Sequence, residues 1–218
     1  MCVAVRSDDP HRDARHLPSE TLARRITPEQ FEDFPAYGDI LIAPLSVIAR
    51  GLNIVVETRS AVQSIYLCVR PVLSIDEPAW MYGSVNAAGI SALPTSGSPN
   101  PVEALKAAGD EAWQQLSLIL RSATQFSAMM PALQEEVIAG MLVNLIQLAG
   151  RARRGGTDMN LHLVDYAFQD ETWSSDLVTI IKRIHSRWPP EVQQRMNDLY
   201  GEALGAFLSY AGIDPATA

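Results

Sequence analysis

Two segments of this 218-residue chain carry side chains whose type and spacing could do chemistry. One runs Gln147-Leu-Ala-Gly150-Arg151-Ala-Arg153-Arg154-Gly-Gly156, with three arginines in four residues at the end of an apolar helical stretch. Cations there suit the negative end of the helix dipole, and the paired glycines make a natural helix stop. The other runs Gly38-Asp-Ile-Leu-Ile-Ala-Pro-Leu-Ser-Val-Ile-Ala-Arg-Gly-Leu-Asn-Ile54. In it an apolar run feeds a short turn, then Ala49-Arg50-Gly51, then an apolar–polar–apolar trio.

Other chemistries are thinly supplied. No Gly-x-Ser-x-Gly nucleophile elbow occurs. The histidines at 11, 16, 162 and 185 have no metal-ligand spacing. His162 alternates with apolar neighbours and reads as a core or sheet histidine. Cys2 and Cys68 cannot build a disulfide framework, and Cys68 reads as a small core residue in an apolar strand. A phosphate loop needs Gly-Lys-Ser/Thr, but the only lysines, Lys106 and Lys182, follow Leu105 and Ile181. Val72-Leu-Ser-Ile-Asp76-Glu77 has the outline of a Walker B strand. Ser74 interrupts it and Pro78 closes it, so it reads as a loop.

The elements that must position these segments follow from periodicity and punctuation. Cys2–Val5, Asp39–Ala43, Ser64–Arg70 and Asn160–Asp165 read as short buried strands. Pro18–Arg25 reads as helical, and Thr27-Pro28-Glu29-Gln30 as a helix start that Pro35 and Gly38 end. Ile90–Pro101 reads as a loop. Helices are expected from Asn100-Pro101 to about Ser122, and from Met130 to Arg151. Two more follow, one capped by Ser174-Ser175-Asp176 and one opened by Pro189-Pro190-Glu191. The last would bury Val192, Met196, Leu199, Ala203, Phe207 and Tyr210. Short strands separated by helices are the pattern of a parallel sheet covered by helices.

Composition agrees with a folded domain: 47% apolar and 19% charged residues exclude a largely disordered chain. The net charge of −8 disfavours a nucleic-acid coat but leaves room for a local basic site. The apolar stretch Val137–Gly150 is shorter than the roughly 20 residues that span a bilayer. Arg6, Asp8 and Asp9 crowd the N-terminus, so no secretory signal is read there and a reducing cytoplasm is the expected location, with no membrane partner.

Taken in order, the two segments resemble motifs V and VI of superfamily 2 helicases. Motif V has the form strand, Ala-Thr, then Ala-Arg-Gly-x-Asp/Asn-apolar. Motif VI is Gln-x-x-Gly-Arg-x-x-Arg, and Gln147, Gly150, Arg151 and Arg154 fill its four fixed positions. Together with Val69-Arg70-Pro71 and Val164-Asp165-Tyr-Ala-Phe168, the segments are similar to the helicase of prokaryotic Piwi-type (pPIWI-RE) defence modules. The resemblance covers about residues 1 to 168.

The resemblance implies an α/β chain. Residues 1–170 would be a partial second RecA-like lobe, with a parallel sheet and a helical insertion at about 100–145. Residues 171–218 would be a helical C-terminal extension. ATP with magnesium would bind between this lobe and a first lobe that carries the phosphate loop. Arg154 would be the arginine finger, Arg151 a second phosphate or interlobe contact, and Gln147 a coupling residue. An arginine suits that role because its planar fork grips phosphate oxygens in pairs. Gly51 would let the backbone approach the nucleotide, and Asn53 would lie near the ribose. Ser46 would face nucleic acid in place of the usual threonine, since Pro44 occupies that threonine's position. Arg50 would pair across the cleft or be solvated. Without a phosphate loop, the chain alone is expected not to hydrolyse ATP. It would then be a piece of a longer helicase, a subunit working with a first lobe in trans, or a non-enzymatic interaction scaffold. Nucleic acid, a first lobe and other defence-module proteins are the implied partners. An incomplete lobe would also leave a strand edge exposed.

Overall fold

The N-terminal apolar run forms strand β1 (Cys2–Ala4), flanked on both sides by parallel partners, β2 (Arg24–Ile26) and β3 (Leu41–Ile42). Cys2 stands opposite Arg24 on one side and Leu41 on the other. These elements come from a computed structural model that describes residues 2–4, 24–48, 54–72, 74–93, 100–169 and 174–214. The chain divides into two compact units. Unit 1 comprises Met1–Arg70, Leu142–Asp165 and Gln194–Phe207; unit 2 comprises Pro71–Met141, Tyr166–Gln193 and Leu208–Ala218.

In unit 1, the helix expected over Pro18–Arg25 is corrected at its end, because Arg24–Ile26 is strand β2; residues 18–23 lie outside the described residues. Thr27 precedes Pro28, and a residue before proline is pushed to extended backbone, so a helix cannot run through it. The helix expected from Thr27 shrinks to two 3-10 turns, Pro28–Gln30 and Phe34–Ala36. The capping signal survives: the Thr27 amide donates to Gln30 Oε1 at 3.1 Å. The Thr27 side chain and a backbone amide hold the exposed Glu29 carboxyl below its ordinary pKa. Ile26, Phe31 and Phe34 form a buried cluster against which Leu41, Val47, Ile48 and Ile54 pack.

The run expected to be a strand from Asp39 to Ala43 narrows to β3, at one edge of its sheet, with Ile40 59% and Ile42 50% exposed. Pro44 ends it, and the short helix α1 (Leu45–Ile48) follows. A hairpin of β4 (Val55–Val56) and β5 (Arg59–Ser60) turns through Glu57-Thr58. Strand β6 (Ser64–Leu67) pairs in parallel with β7 (Asn160–Leu163). The described strands therefore pair in three small sheets rather than in one. Cys68 is exposed, not a core residue: one step past the buried Leu67, the alternation places it on the face of the exposed Ser64 and Tyr66.

Unit 2 is helical. Helix α2 (Pro78–Ser91) packs on α3 (Pro101–Arg121). Gly89 makes the approach close, since a Cβ there would lie 3.2 Å from the Ala108 carbonyl oxygen. Asn100 caps α3 as expected, accepting from the Val102 and Glu103 amides at 3.1 and 3.4 Å. Val72 and residues 74–77 lie in a loop as expected, and the loop leads into α2 at Pro78; residue 73 lies outside the described residues. Helix α4 (Pro131–Ala152) lends residues up to Met141 to unit 2 and the rest to unit 1. Asp176 caps α5 (Leu177–Arg187) through the Thr179 amide at 2.8 Å. Helix α6 (Pro190–Tyr210) starts where Pro189-Pro190 predicts, but Gly201, at φ 47° and ψ −128°, breaks its continuity. The single apolar face expected along it does not hold, and Leu199 is 64% exposed.

Helix α4 extends to 22 residues because Gln134, Glu135 and Glu136 continue it ahead of the apolar stretch. It is the one helix among the described residues long and apolar enough, by length and composition, to cross a membrane. Its apolar residues Leu133, Val137, Ile138, Met141 and Leu145 are at most 2% exposed. Its carboxylates are engaged within unit 2. Gln115 bridges Ser84 and Glu136 at 2.7 and 2.9 Å, and Glu135 receives Arg183 and Arg187 at 2.6 Å each. The Glu135 side chain is 12% exposed and that of Arg183 23%, against 59% for Arg187. Glu135→Ala removes the carboxylate from a mostly buried guanidinium that keeps only the Gln134 and Pro131 oxygens, and is expected to cost about 2–3 kcal/mol. Arg187→Ala removes only the exposed arm, at under about 1 kcal/mol. Urea unfolding of the two variants checks the order.

Candidate functional site

The arginine segment is built on the last turns of α4 in unit 1. Gln147 and Arg151 are four residues apart and share a helix face. Gly150 is exposed, and a Cβ on it would meet nothing within 4 Å, so packing within the chain does not require a glycine there. Ala152 is buried, and the helix then tightens into a 3-10 turn, Arg154–Gly156. Gly155 and Gly156 take φ 73° and 72°, the left-handed conformation that ends helices. The Thr157 hydroxyl lies 3.3 and 3.1 Å from the Ala152 and Arg154 carbonyl oxygens, which the end of the helix leaves unpaired.

The three arginines are not equivalent. Arg153 forms an ion pair with Glu202 at 2.5 Å, the acidic neighbour that the sequence does not reveal. Arg154 is exposed, and its side chain has no hydrogen bond or ion pair among the described residues. Arg151 is half-buried, and its Nη1 is shielded from solvent without a hydrogen-bond partner. A buried N–H without an acceptor is costly, and an anionic oxygen would satisfy it. Arg151 and Arg154 thus both carry guanidinium N–H groups with no partner among the described residues.

The turn is held against the β4–β5 hairpin. A Cβ on Gly155 would lie 2.4 Å from the Thr58 carbonyl oxygen and 2.9 Å from Arg59 Cα. The hairpin starts at Val55, directly after Ile54, so the chain that leaves the motif V-like segment rests on the motif VI-like turn. This hairpin carries no strong sequence signal; its two-residue turn uses Glu57 at φ 56°, where glycine or asparagine is the usual marker. Of the motif V-like residues, Arg50, Gly51 and Asn53 lie outside the described residues, and Ser46 is placed only as part of α1.

Strand β7, which follows the arginine turn, presents a feature the sequence reading passed over. Tyr66 and His162 stand opposite each other in register, and their rings stack at 4.3 Å and 9°. The signal was present: Ser64-Ile-Tyr-Leu and Asn160-Leu-His-Leu share one alternation, which puts both rings on one face. His162 is thus half-buried and stacked in a sheet rather than sealed in a core.

Among the described residues, no group of three His, Cys, Asp or Glu side chains is placed to hold a metal ion. Comparison of the chain with protein-family models, with characterised proteins and with solved structures finds no match.

Proposed function

We propose that this chain supplies the second-lobe half of an ATP-dependent helicase or translocase, of the kind found in prokaryotic Piwi-type defence modules. The observation that supports it most is the division of labour among the arginines. Arg153 is neutralised by Glu202, while Arg154 is free and Arg151 holds an unsatisfied N–H. The helix dipole alone accounts for cations at this end, but it does not require the buried N–H of Arg151 to go without an acceptor. ATP, bound with magnesium on a first lobe in cis or in trans, supplies the phosphoanhydride whose cleavage drives such a motor. Arg154 would meet the charge that develops on the terminal phosphate, and Arg151 would hold a second oxygen. Gln147 would join the two lobes, Gly150 and Gly51 would admit the nucleotide, and Asn53 would flank the ribose. Ser46 and Arg50 would face the DNA or RNA backbone.

The test is a mixing experiment. The chain is combined with a separately produced first lobe bearing a phosphate loop and an Asp-Glu metal site. Hydrolysis of ATP is then followed with and without single-stranded DNA or RNA. Hydrolysis is expected only with both lobes, and nucleic acid is expected to raise it. No hydrolysis above that of the first lobe alone, with either nucleic acid, overturns the motor reading.

A second reading has its own observation. Val102, Leu105, Trp113 and Leu120 on α3 are each about 70% exposed, which favours a protein-interaction scaffold. A complex that forms without ATP and survives joint replacement of Arg151 and Arg154 by alanine would support it.

A further inference from the structure

Helix α3 carries two apolar faces, and the fold uses only one. Ala108 and Ile119 are buried on the side that packs against α2. At about 100° per residue, Val102, Leu105, Gly109, Trp113, Leu116 and Leu120 line a second stripe beside it. Along it Val102 is 74% exposed, Leu105 71%, Trp113 67% and Leu120 70%. Gly109 is exposed, and the space above its Cα is open.

We propose that this stripe binds a second copy of the same chain, the two α3 helices packing antiparallel with Trp113 of each copy seated over Gly109 of the other. The stripe is close to palindromic. Turned end for end about residue 111, it sets Val102 opposite Leu120, Gly109 opposite Trp113, and Leu105 opposite Ser117 beside Leu116. The largest side chain thus meets the one position with no side chain, which is what a two-fold contact requires of a single surface. A parallel pair would instead set Trp113 against Trp113.

One pair of charged groups favours the same arrangement, against the two Asp110 carboxylates that it brings together on the same flank. Glu103 and Arg121 lie on one flank of the stripe at opposite ends of α3, and neither has an ion-pair partner among the described residues. In the antiparallel pair, Glu103 of one copy comes within about 3 Å, along the helix axis, of Arg121 of the other. In a parallel two-fold pair, Glu103 and Arg121 lie on opposite flanks and at opposite ends of the contact, so they cannot pair. Area is sufficient as well. The four exposed apolar side chains contribute roughly 500 Å² per copy, and the flanks of a helix about 30 Å long bring this near the 800 Å² per partner of a standard interface.

The test is the oligomeric state of the full chain, read by sedimentation from about 1 to 100 μM. The unaltered chain is expected to be a dimer. Trp113→Ala, at an exposed position, is expected to weaken the dimer at least tenfold and leave the helical circular dichroism unchanged. Glu103→Arg alone and Arg121→Glu alone are each expected to weaken it, and the two together to restore it. A chain monomeric at every concentration overturns the proposal and leaves the stripe to a different protein. So does a dimer indifferent to Trp113→Ala and to both charge reversals. Arg154→Ala is expected to dimerise normally, so the outcome is independent of the motor reading.

Discussion

Arg154→Ala is expected to lower the rate of ATP hydrolysis by the two-lobed assembly by about 10³-fold or more, with folding untouched. The two halves of that expectation rest on different facts. Stability is spared because the Arg154 side chain is exposed and makes no hydrogen bond or ion pair with another described residue. Exposed substitutions of that kind stay within about 0.5 kcal/mol. Turnover collapses because a guanidinium aimed at the transferring phosphoryl group acts in the transition state and hardly in the ground state. The loss should therefore fall on kcat and leave ATP affinity nearly unchanged. Arg154→Lys keeps the charge but loses the planar fork, and is expected to rescue little. Arg153→Ala is the internal control, one residue away and bearing the same charge. Its partner Glu202 already holds it, at an exposed site where such a pair is worth under about 1 kcal/mol. Near-normal turnover with Arg153→Ala and near-zero turnover with Arg154→Ala is the expected pair. Normal turnover by Arg154→Ala would falsify the finger assignment, whatever Arg153→Ala does.

How much of this was legible in the sequence depended on how local the cause was. Asn100 and Asp176 cap helices through amides two or three residues away, and both were readable from residue order alone. The end of α4 was readable for the same reason, since Gly155 and Gly156 stop a helix by their own backbone freedom. Helix α2 was not read as a helix, because Tyr82 and Ile90 face solvent while Ser84 is buried, which erases the amphipathic pattern. Strand β2 was misread because Arg24-Arg25-Ile26 becomes a strand only by pairing with β1, some 20 residues away in sequence. The same holds at the candidate site. The spacing of Gln147, Gly150, Arg151 and Arg154 was visible, but the pairing of Arg153 with Glu202 spans 49 residues and could be seen only in the fold. That pairing is what separates the engaged arginine from the free one.

Gly155→Ala is expected to destabilise unit 1 by about 3 kcal/mol or more, lowering the melting temperature by roughly 6–12 °C for a chain of this size. Two penalties combine. An alanine at φ 73° sits in the left-handed region, which costs about 1–2 kcal/mol by itself. Its Cβ would also lie 2.4 Å from the Thr58 carbonyl oxygen, nearer than side-chain carbons approach an oxygen. The obstacle is backbone, in a two-residue turn whose other member, Glu57, is already held at φ 56°. The hairpin has little freedom to yield, so the arginine turn must move instead. Gly156→Ala separates the terms: it has nearly the same φ, 72°, but nothing within 4 Å of the added carbon. Only the backbone penalty applies there, and the expected loss is about 1 kcal/mol. Thermal melts of the two variants beside the unaltered chain measure the difference. Equal shifts would mean that the hairpin does not press on the turn. A much larger shift for Gly155→Ala would mean that it does, and that Arg154 is positioned in part by the chain that leaves the motif V-like segment.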